Sequence, residues 1–185
     1  EHSTLSAFCT ELTGIEQKQV DAAAPLQEVL AAFVEWVGTS SLWKSDGDIA
    51  IVTCGDWDLN IGIRIEATRK GFVDQVPPWM QRWVNIKQSW MKATGNTRAT
   101  GMAGMLRDLG IELVGKHHSG IDDARNIARI VTKLLEGGAV VEGTGQWPGG
   151  RRSWAAKKEA KDKLKKDKEQ AGTQASRQLT PGDAE

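Results

Sequence analysis

The 185-residue sequence has no tyrosine and only three phenylalanines, so its aromatic packing must depend on eight tryptophans. Its only two cysteines, Cys9 and Cys54, lie far apart without a Cys-x-x-Cys spacing. This excludes a disulfide framework and a cysteine zinc site, and it favours an intracellular environment, cytoplasmic or nuclear. No apolar run reaches the length that crosses a bilayer, so we expect no membrane contact.

The chain also lacks a net charge, because 24 basic residues balance 24 acidic ones, but the two signs are unevenly distributed. Residues 1–150 hold 14 Lys and Arg against 18 Asp and Glu, whereas residues 151–185 hold 10 against 6. We predict one domain over residues 1–145, which is long enough for a sizeable core. Residues 146–185 are predicted to be a linker and a basic tail, disordered or loosely helical.

Apolar residues recur at helical spacing in three segments. The first runs from Leu26 to Val37, with Pro25 at its start and Gly38 at its exit. The second covers 102–109 and stops at Gly110. The third follows 116–123 and ends at Gly137-Gly138. Its apolar stripe is Ile127, Ile130, Val131, Leu134 and Leu135.

Strands are harder to assign. The run Ile49 to Thr53 predicts a strand that is buried on both faces, as in an α/β sheet. Residues 59–70 alternate like a strand but contain Gly62. Residues 79–90 fit a helical stripe of tryptophans, although Trp-Val-Asn-Ile within them equally fits a strand. Residues 139–141 are a candidate closing strand.

Two carboxylates follow the first strand directly, since Asp56 and Asp58 flank Trp57. The carboxyl end of a strand is the usual place for a ligand site in an open α/β sheet. The alternative is that these aspartates cap the next helix or fill a turn.

The stretch KHHSGIDD offers two histidine–aspartate pairs at the same spacing, His117 with Asp122 and His118 with Asp123. At about 100° per residue, Asp123 lies about 20° from Ile130 on the inward stripe, whereas Asp122 lies toward the edge. A carboxylate on a buried stripe needs a cation, a donor or a metal. A favourable charge at the helix N-terminus is the alternative explanation for both aspartates.

Aspartates from a strand end and a helix start, beside a histidine, are typical of metal-assisted phosphoester hydrolysis. Oxygen ligands suit Mg²⁺ or Mn²⁺, and a histidine with a pKa near neutrality can accept a proton from the attacking water. Two metal ions usually need more than two carboxylates.

The segments FCTELTGIEQ, VTCGDWDL and HHSGIDDARNIARI, in this order over residues 1–145, resemble successive motifs of the Eri-type 3′→5′ exoribonucleases. These are DEDDh exonucleases. The resemblance implies an α/β, ribonuclease H-like three-layer fold with a mixed central sheet. It also implies an enzyme that releases 5′-mononucleotides from RNA 3′ ends with two Mg²⁺ or Mn²⁺ ions.

The resemblance assigns roles to individual residues. Asp58 and Asp123 match metal carboxylates, and His118 matches the general base in the pattern His-x-x-x-x-Asp. The segment lining the terminal nucleotide is matched by Leu12, Thr13, Gly14 and Ile15. Trp57 is expected to stack on that nucleotide, with core filling as the alternative.

One family motif, an Asp-x-Glu on the first strand upstream of the FCTELTGI segment, has no counterpart in this sequence. The only such triplets, 167–169 and 183–185, lie in the polar tail. We therefore expect a fragment that lacks the N-terminal strands and is inactive by itself. The alternatives are a DEDDh 3′→5′ deoxyribonuclease and a non-catalytic RNA-binding pseudo-nuclease, and the basic tail is a further candidate RNA contact.

Overall fold

The computed structural model describes residues 4–40 and 49–148, so the predicted tail lies outside the described residues. The helices are α1 (Ala7–Thr13), α2 (Gln17–Asp21), α3 (Leu26–Thr39), α4 (Arg64–Arg69), α5 (Ile86–Thr94), α6 (Met102–Asp108) and α7 (Gly120–Glu136). A π-helix over Asp58–Ile63 leads directly into α4, and a short 3₁₀ helix covers Val73–Gln75. In this part of the chain, no helix is both long and apolar enough to cross a membrane.

The three strands found in the described ranges form one mixed sheet in the order β1-β2-β3. Strand β1 (Ile51–Thr53) runs parallel to β2 (Arg82–Asn85), and Ile51 faces Trp83 in the register. Strand β3 (Gly145–Gln146) is antiparallel to β2. The fold is therefore α/β with a mixed sheet, as the sequence predicts. Strand β1 occupies one edge of the sheet that the described residues form.

The core has two parts, one on each face of this sheet. Successive strand residues point to opposite faces, so Ile51 packs with the first cluster and Val52 with the second. The first cluster holds buried residues of α3, the π-helix and α4 together with Trp83 and Trp147. The second holds Ile86 and Trp90 of α5 with residues of α6 and α7. Helices on both faces of a sheet make a three-layer arrangement.

The predicted helices are confirmed, with corrections at their ends and faces. Helix α3 continues to Thr39, so Gly38 does not terminate it. Helix α6 ends at Asp108, and Gly110 follows with φ 68°. In α7, Ile130 and Leu134 are buried, but Leu135 is 53% exposed and does not belong to the apolar face.

The ambiguous segments resolve differently from one another. Residues 59–69 are helical, so the alternating pattern around Gly62 does not form a strand. Residues 79–90 contain both predicted structures, because β2 covers Arg82–Asn85 and α5 begins at Ile86. Strand β1 is shorter than predicted, and Ile51 and Val52 are only half-buried.

The last strand is Gly145–Gln146 rather than the predicted residues 139–141. Assigning Gln146 and Trp147 to a linker is therefore wrong. Trp147 is buried, and its indole Nε1 donates a hydrogen bond to the Leu59 carbonyl at 2.8 Å. Gly145 faces the Trp83 ring so closely that a Cβ at this position would overlap the indole.

Candidate active site

The two aspartates after β1 have different surroundings. Asp56 accepts hydrogen bonds from Trp83 Nε1 at 2.7 Å and from Asn85 Nδ2 at 3.1 Å, both on β2. It therefore joins the ends of two neighbouring strands. Asp58 is the first residue of the π-helix and is exposed, and its carboxylate has no hydrogen bond or ion pair within the described ranges. Of the two, Asp58 is the carboxylate that is free to bind a ligand.

Trp57 lies between these aspartates and is 67% exposed, so the core-filling alternative is wrong. Its indole ring covers Gly62, where an added Cβ would stand 3.2 Å from the ring. Because Gly62 has no side chain, the Trp57 ring can pack against the π-helix that follows it. The same glycine is the residue that interrupts the strand pattern. An exposed indole at a strand end offers a surface on which a base can stack.

The loop before α7 is fastened to the helix by side chains of α7 itself. Asn126 is 1% exposed, donates from Nδ2 to the Val114 carbonyl at 2.7 Å and accepts from Val114 N at 3.1 Å. Asp122 accepts from Lys116 N at 3.0 Å. Its carboxylate lies directly against Gly115, where a Cβ would overlap it and where φ is 79°. These contacts fix the position at which the histidine pair emerges.

The hydrogen bond from Lys116 N is the largest cause that lowers the pKa of Asp122, and interactions with Ser119 and Arg125 lower it further. The Arg125 guanidinium lies 3.5 Å from Asp122. Asp122 therefore acts within the loop, and this agrees with a charge that stabilises the helix N-terminus.

Asp123 is half-buried, and its Oδ1 accepts a hydrogen bond from His118 N at 3.2 Å. His118 has φ 71°, a backbone region that is uncommon for a residue other than glycine and that histidine adopts more readily than most. The two histidine rings stack with centroids 4.0 Å apart. Donor atoms of His117, His118 and Asp123 all lie within 4.8 Å of one another.

A cleft of about 710 Å³ joins the strand end to α7. Its walls include Thr53, Cys54 and Asp58 on one side and Gly120 and Asp123 on the other. Burial raises the pKa of the Cys54 thiol, the charge of Lys87 lowers it, and the charges of Asp58 and Asp123 raise it. The charges of Asp58 and Asp123 therefore both reach the Cys54 thiol in the wall of the cleft. The structure brings together the two aspartates that the sequence selects.

The segment Leu12 to Ile15 spans the C-terminal end of α1 and approaches the histidine loop. Lys116 Nζ donates a hydrogen bond to the Glu11 carbonyl at 2.6 Å and lies 3.6 Å from where a Cβ on Gly14 would stand. Gly14 ends α1 with φ 78°, and Ile15 is 45% exposed. This contact spans 105 positions of the sequence and puts the predicted nucleotide segment beside the loop that carries the predicted base.

Sequence reasoning missed Lys116 and Asn126. Asn126 could have been found, because it lies four residues before the buried Ile130 and a polar side chain on a buried stripe needs partners. Lys116 had no such signal, since a surface lysine before a helix is unremarkable and its partner lies on a distant element.

The exonuclease family model (RNase_T) matches residues 1–131, and the chain belongs to this family. It is 40% identical over 151 residues to ERI1 exoribonuclease 2 of Danio rerio, covering 75% of this chain and 27% of that protein. It is 36% identical over 143 residues to ERI1 exoribonuclease 3 of Homo sapiens, covering 77% of this chain and 42% of that protein. The chain thus spans less than half of these relatives.

Solved structures agree with this family. The nuclease domain of 3′hExo, a DEDDh family member bound to rAMP, matches with a TM-score of 0.69 and 31% identity, covering 77% of this chain and 70% of that one. A 3′-exonuclease in 3′-end specific recognition of a histone mRNA stem-loop matches with a TM-score of 0.73 and 29% identity, covering 83% and 69%. The ribonuclease H-like fold expected from the motifs is confirmed.

Exonucleases of this family generally use divalent metal ions. The side chains present fit such ions in part. Asp58 and Asp123 offer carboxylate oxygens to one cleft, and oxygen is the donor that hard divalent cations prefer. Two carboxylates are few for two ions, which usually share more.

Proposed function

We propose that this domain belongs to a 3′→5′ exoribonuclease that hydrolyses RNA from its 3′ end to 5′-mononucleotides. The observation that carries the proposal is the shared cleft of Asp58 and Asp123, with the backbone of His118 hydrogen-bonded to Asp123. The exonuclease family and the RNA named for a structural neighbour support the same function.

In this proposal Asp58 and Asp123 hold Mg²⁺, or Mn²⁺, with further carboxylates from the complete enzyme. The bound metal supplies charge stabilisation at the scissile phosphate. Asp123 also anchors the His118 backbone, so one residue links the metal site to the base. His118 is exposed beside Asp123, and in this proposal it accepts the proton of the attacking water through an imidazole nitrogen.

The terminal nucleotide of a single-stranded 3′ end lies between two elements in this proposal. Leu12, Thr13, Gly14 and Ile15 contact it from the end of α1, and the exposed ring of Trp57 stacks on its base. The Lys116 contact with Glu11 keeps the first element beside the histidine loop.

A non-catalytic RNA-binding role is the second candidate, and the small number of carboxylates favours it. Among the described residues, Asp58 and Asp123 are the two carboxylates that line the cleft. We therefore expect the 185-residue chain by itself to bind Mg²⁺ weakly and to be inactive. Robust degradation of single-stranded RNA that EDTA abolishes would contradict this expectation.

The catalytic assignment is tested in a longer form of the protein that carries an Asp-x-Glu on a strand upstream. Hydrolysis is measured with matched 5′-labelled RNA and DNA oligonucleotides, which also tests the deoxyribonuclease alternative. Asp58→Ala and Asp123→Ala should abolish activity. His118→Ala should lower kcat by about 10²–10⁴-fold with little change in RNA affinity, the range usual for loss of a general base.

His117→Ala and Asp122→Ala are the matched controls, because each is adjacent to a proposed catalytic residue. At saturating Mg²⁺, both should cost far less activity than His118→Ala and Asp123→Ala. If these two variants lose most of their activity while His118→Ala and Asp123→Ala keep most of theirs, the assignment of roles within each pair is wrong. If no longer form hydrolyses RNA or DNA but RNA still binds, the non-catalytic role replaces the proposal.

A further inference from the structure

His117 has no part in the proposed hydrolysis, yet it belongs to a cluster of potential metal ligands. One donor atom each from His117, His118 and Asp123 falls within 4.8 Å of the other two. Within the described ranges, the imidazole nitrogens of His117 and His118 have no hydrogen-bond partner. These nitrogens are therefore free to bind a metal.

The backbone explains why two adjacent histidines share one side of the loop. Neighbouring side chains of an extended chain point in opposite directions. At His118 the backbone has φ 71°, and the two rings lie face to face, with planes inclined by 16° and centroids 4.0 Å apart. Both residues are exposed, so a cation from solvent reaches the rings without prior opening of the fold.

The chemistry of this ligand set differs from that of the proposed Mg²⁺ site. Two imidazoles and one carboxylate suit Zn²⁺ and the other late first-row divalent ions, whereas Mg²⁺ prefers oxygen ligands. Three protein ligands leave one tetrahedral position to water, as in many zinc sites. Zinc donors stand about 3.3 Å apart at zinc–nitrogen distances of about 2.0 Å, and an imidazole binds a metal in the plane of its ring. The two stacked rings must therefore turn out of their parallel arrangement to converge on one ion, and their exposure to solvent permits this rotation.

We propose that His117, His118 and Asp123 bind Zn²⁺, and that this zinc site inhibits hydrolysis because it takes up the proposed base and one proposed Mg²⁺ ligand. Binding of zinc depends only on residues in this chain. Inhibition rests on the proposed function, since it requires that His118 and Asp123 take part in hydrolysis.

Calorimetric titration of the 185-residue chain with ZnCl₂, in a buffer that does not bind metal, tests the binding step. We expect one zinc site. Loss of a residue that only hydrogen-bonds to a metal ligand usually lowers metal affinity by about 10–100-fold. Because His117 and His118 are proposed as ligands themselves, His117→Asn and His118→Asn should each lower the zinc affinity by more than this. Thermal melting without metal should be unchanged in both variants, because both side chains are exposed.

Two control variants report on other zinc ligands. His2→Asn removes the remaining histidine of the chain, and Cys54→Ser removes the thiol in the cleft wall. Both should keep the zinc affinity of the unaltered chain. Unchanged affinity in His117→Asn, or loss of binding in Cys54→Ser, would overturn the proposed ligand set.

The inhibitory step is measured separately in the longer form at saturating Mg²⁺. His117→Asn should keep its activity without zinc and need at least about tenfold more zinc for half-inhibition, in line with its weaker zinc binding. Equal sensitivity of His117→Asn and the unaltered protein would refute inhibition through this site. An inactive longer form that still binds zinc through His117 would contradict only the proposed hydrolytic function.

Discussion

At the scale of single residues, the two adjacent aspartates of HHSGIDD have different environments. Asp122 faces the loop and accepts from Lys116 N, whereas Asp123 faces the cleft and accepts from His118 N. The two aspartates differ by one position, which turns a helical side chain by about 100°. One residue therefore shapes the loop while its neighbour remains available to a ligand.

The surroundings of Asp122 predict a pH-dependent contribution to stability. Its folded-state pKa is lowered, first by the hydrogen bond from Lys116 N, so folding favours the ionised carboxylate. That stabilisation is present above the unfolded pKa of about 3.9 and is lost as the pH falls through the lower folded value. Asp122→Ala should therefore lower Tm at neutral pH, and this difference should shrink as the medium is acidified below about pH 4.

Differential scanning fluorimetry across this pH range checks the prediction. Asp74→Ala is the control, because Asp74 is an exposed aspartate on the short helix Val73–Gln75 with no hydrogen bond in the described ranges. A Tm difference for Asp122→Ala that is the same at acidic and neutral pH would show that the carboxylate charge does not contribute.

At the scale of elements, the ends of β1 and β2 are joined by side chains as well as by the sheet. Asp56 accepts from the indole of the buried Trp83 and from the Asn85 amide. Asp58, two residues later, opens the π-helix and faces the cleft. The turn thus devotes one carboxylate to the sheet and presents the other to solvent.

Asp56→Ala leaves the buried indole N–H of Trp83 without its acceptor. We expect it to lower the free energy of unfolding by about 1–3 kcal/mol, the usual cost of an unsatisfied buried donor. Asp58→Ala, its matched control, should change stability little. Urea unfolding of both variants measures the difference. Equal losses of stability in the two variants would contradict the division of roles.

A second prediction at this scale concerns the contact of Lys116 with the end of α1. Lys116→Met removes the hydrogen bond to the Glu11 carbonyl, worth roughly 0.5–1.5 kcal/mol, and should speed amide hydrogen exchange in Ala7–Thr13 by about two- to tenfold. Lys92→Met removes an exposed pair with Glu142 and serves as control. Exchange in α1 that is the same in both variants would show that Lys116 does not hold this helix.

At the scale of the whole molecule, charge separates an acidic body from a basic tail. Residues 151–170 hold nine Lys and Arg against four acidic residues. The simpler expectation for such a segment is a solvated extension. The alternative is an electrostatic contact with RNA phosphates that reads no sequence.

Truncation after Gly150 distinguishes these two roles. If the tail contacts RNA, the truncated chain should bind single-stranded RNA more weakly. The slope of log affinity against log salt should then fall by about 0.7 for each phosphate that the tail no longer neutralises. Fluorescence anisotropy with one RNA at several salt concentrations provides both values. A salt slope unchanged by the truncation would leave only the solvated extension.

Periodicity in the sequence was sufficient to predict α3, α6 and α7, because the direction of each side chain within a helix follows from its position. It also selected Asp123 over Asp122, and the strand before Asp56 and Asp58 placed both at the carboxyl end of that strand. Short segments such as 59–70 and 79–90 stayed ambiguous. In neither segment do the apolar residues follow the helical or the strand periodicity over enough positions, and Gly62 interrupts the first segment.

Contacts between distant positions required the tertiary structure. The sequence alone could not show that Asp56 binds Trp83, that Lys116 reaches Glu11, or that β3 lies at Gly145–Gln146. Spacing along a chain defines the faces of one element, but it does not define which elements meet. The sequence thus determined the motifs and the inward carboxylate, whereas packing of separate elements decided which neighbouring side chains shape the fold and which face the cleft.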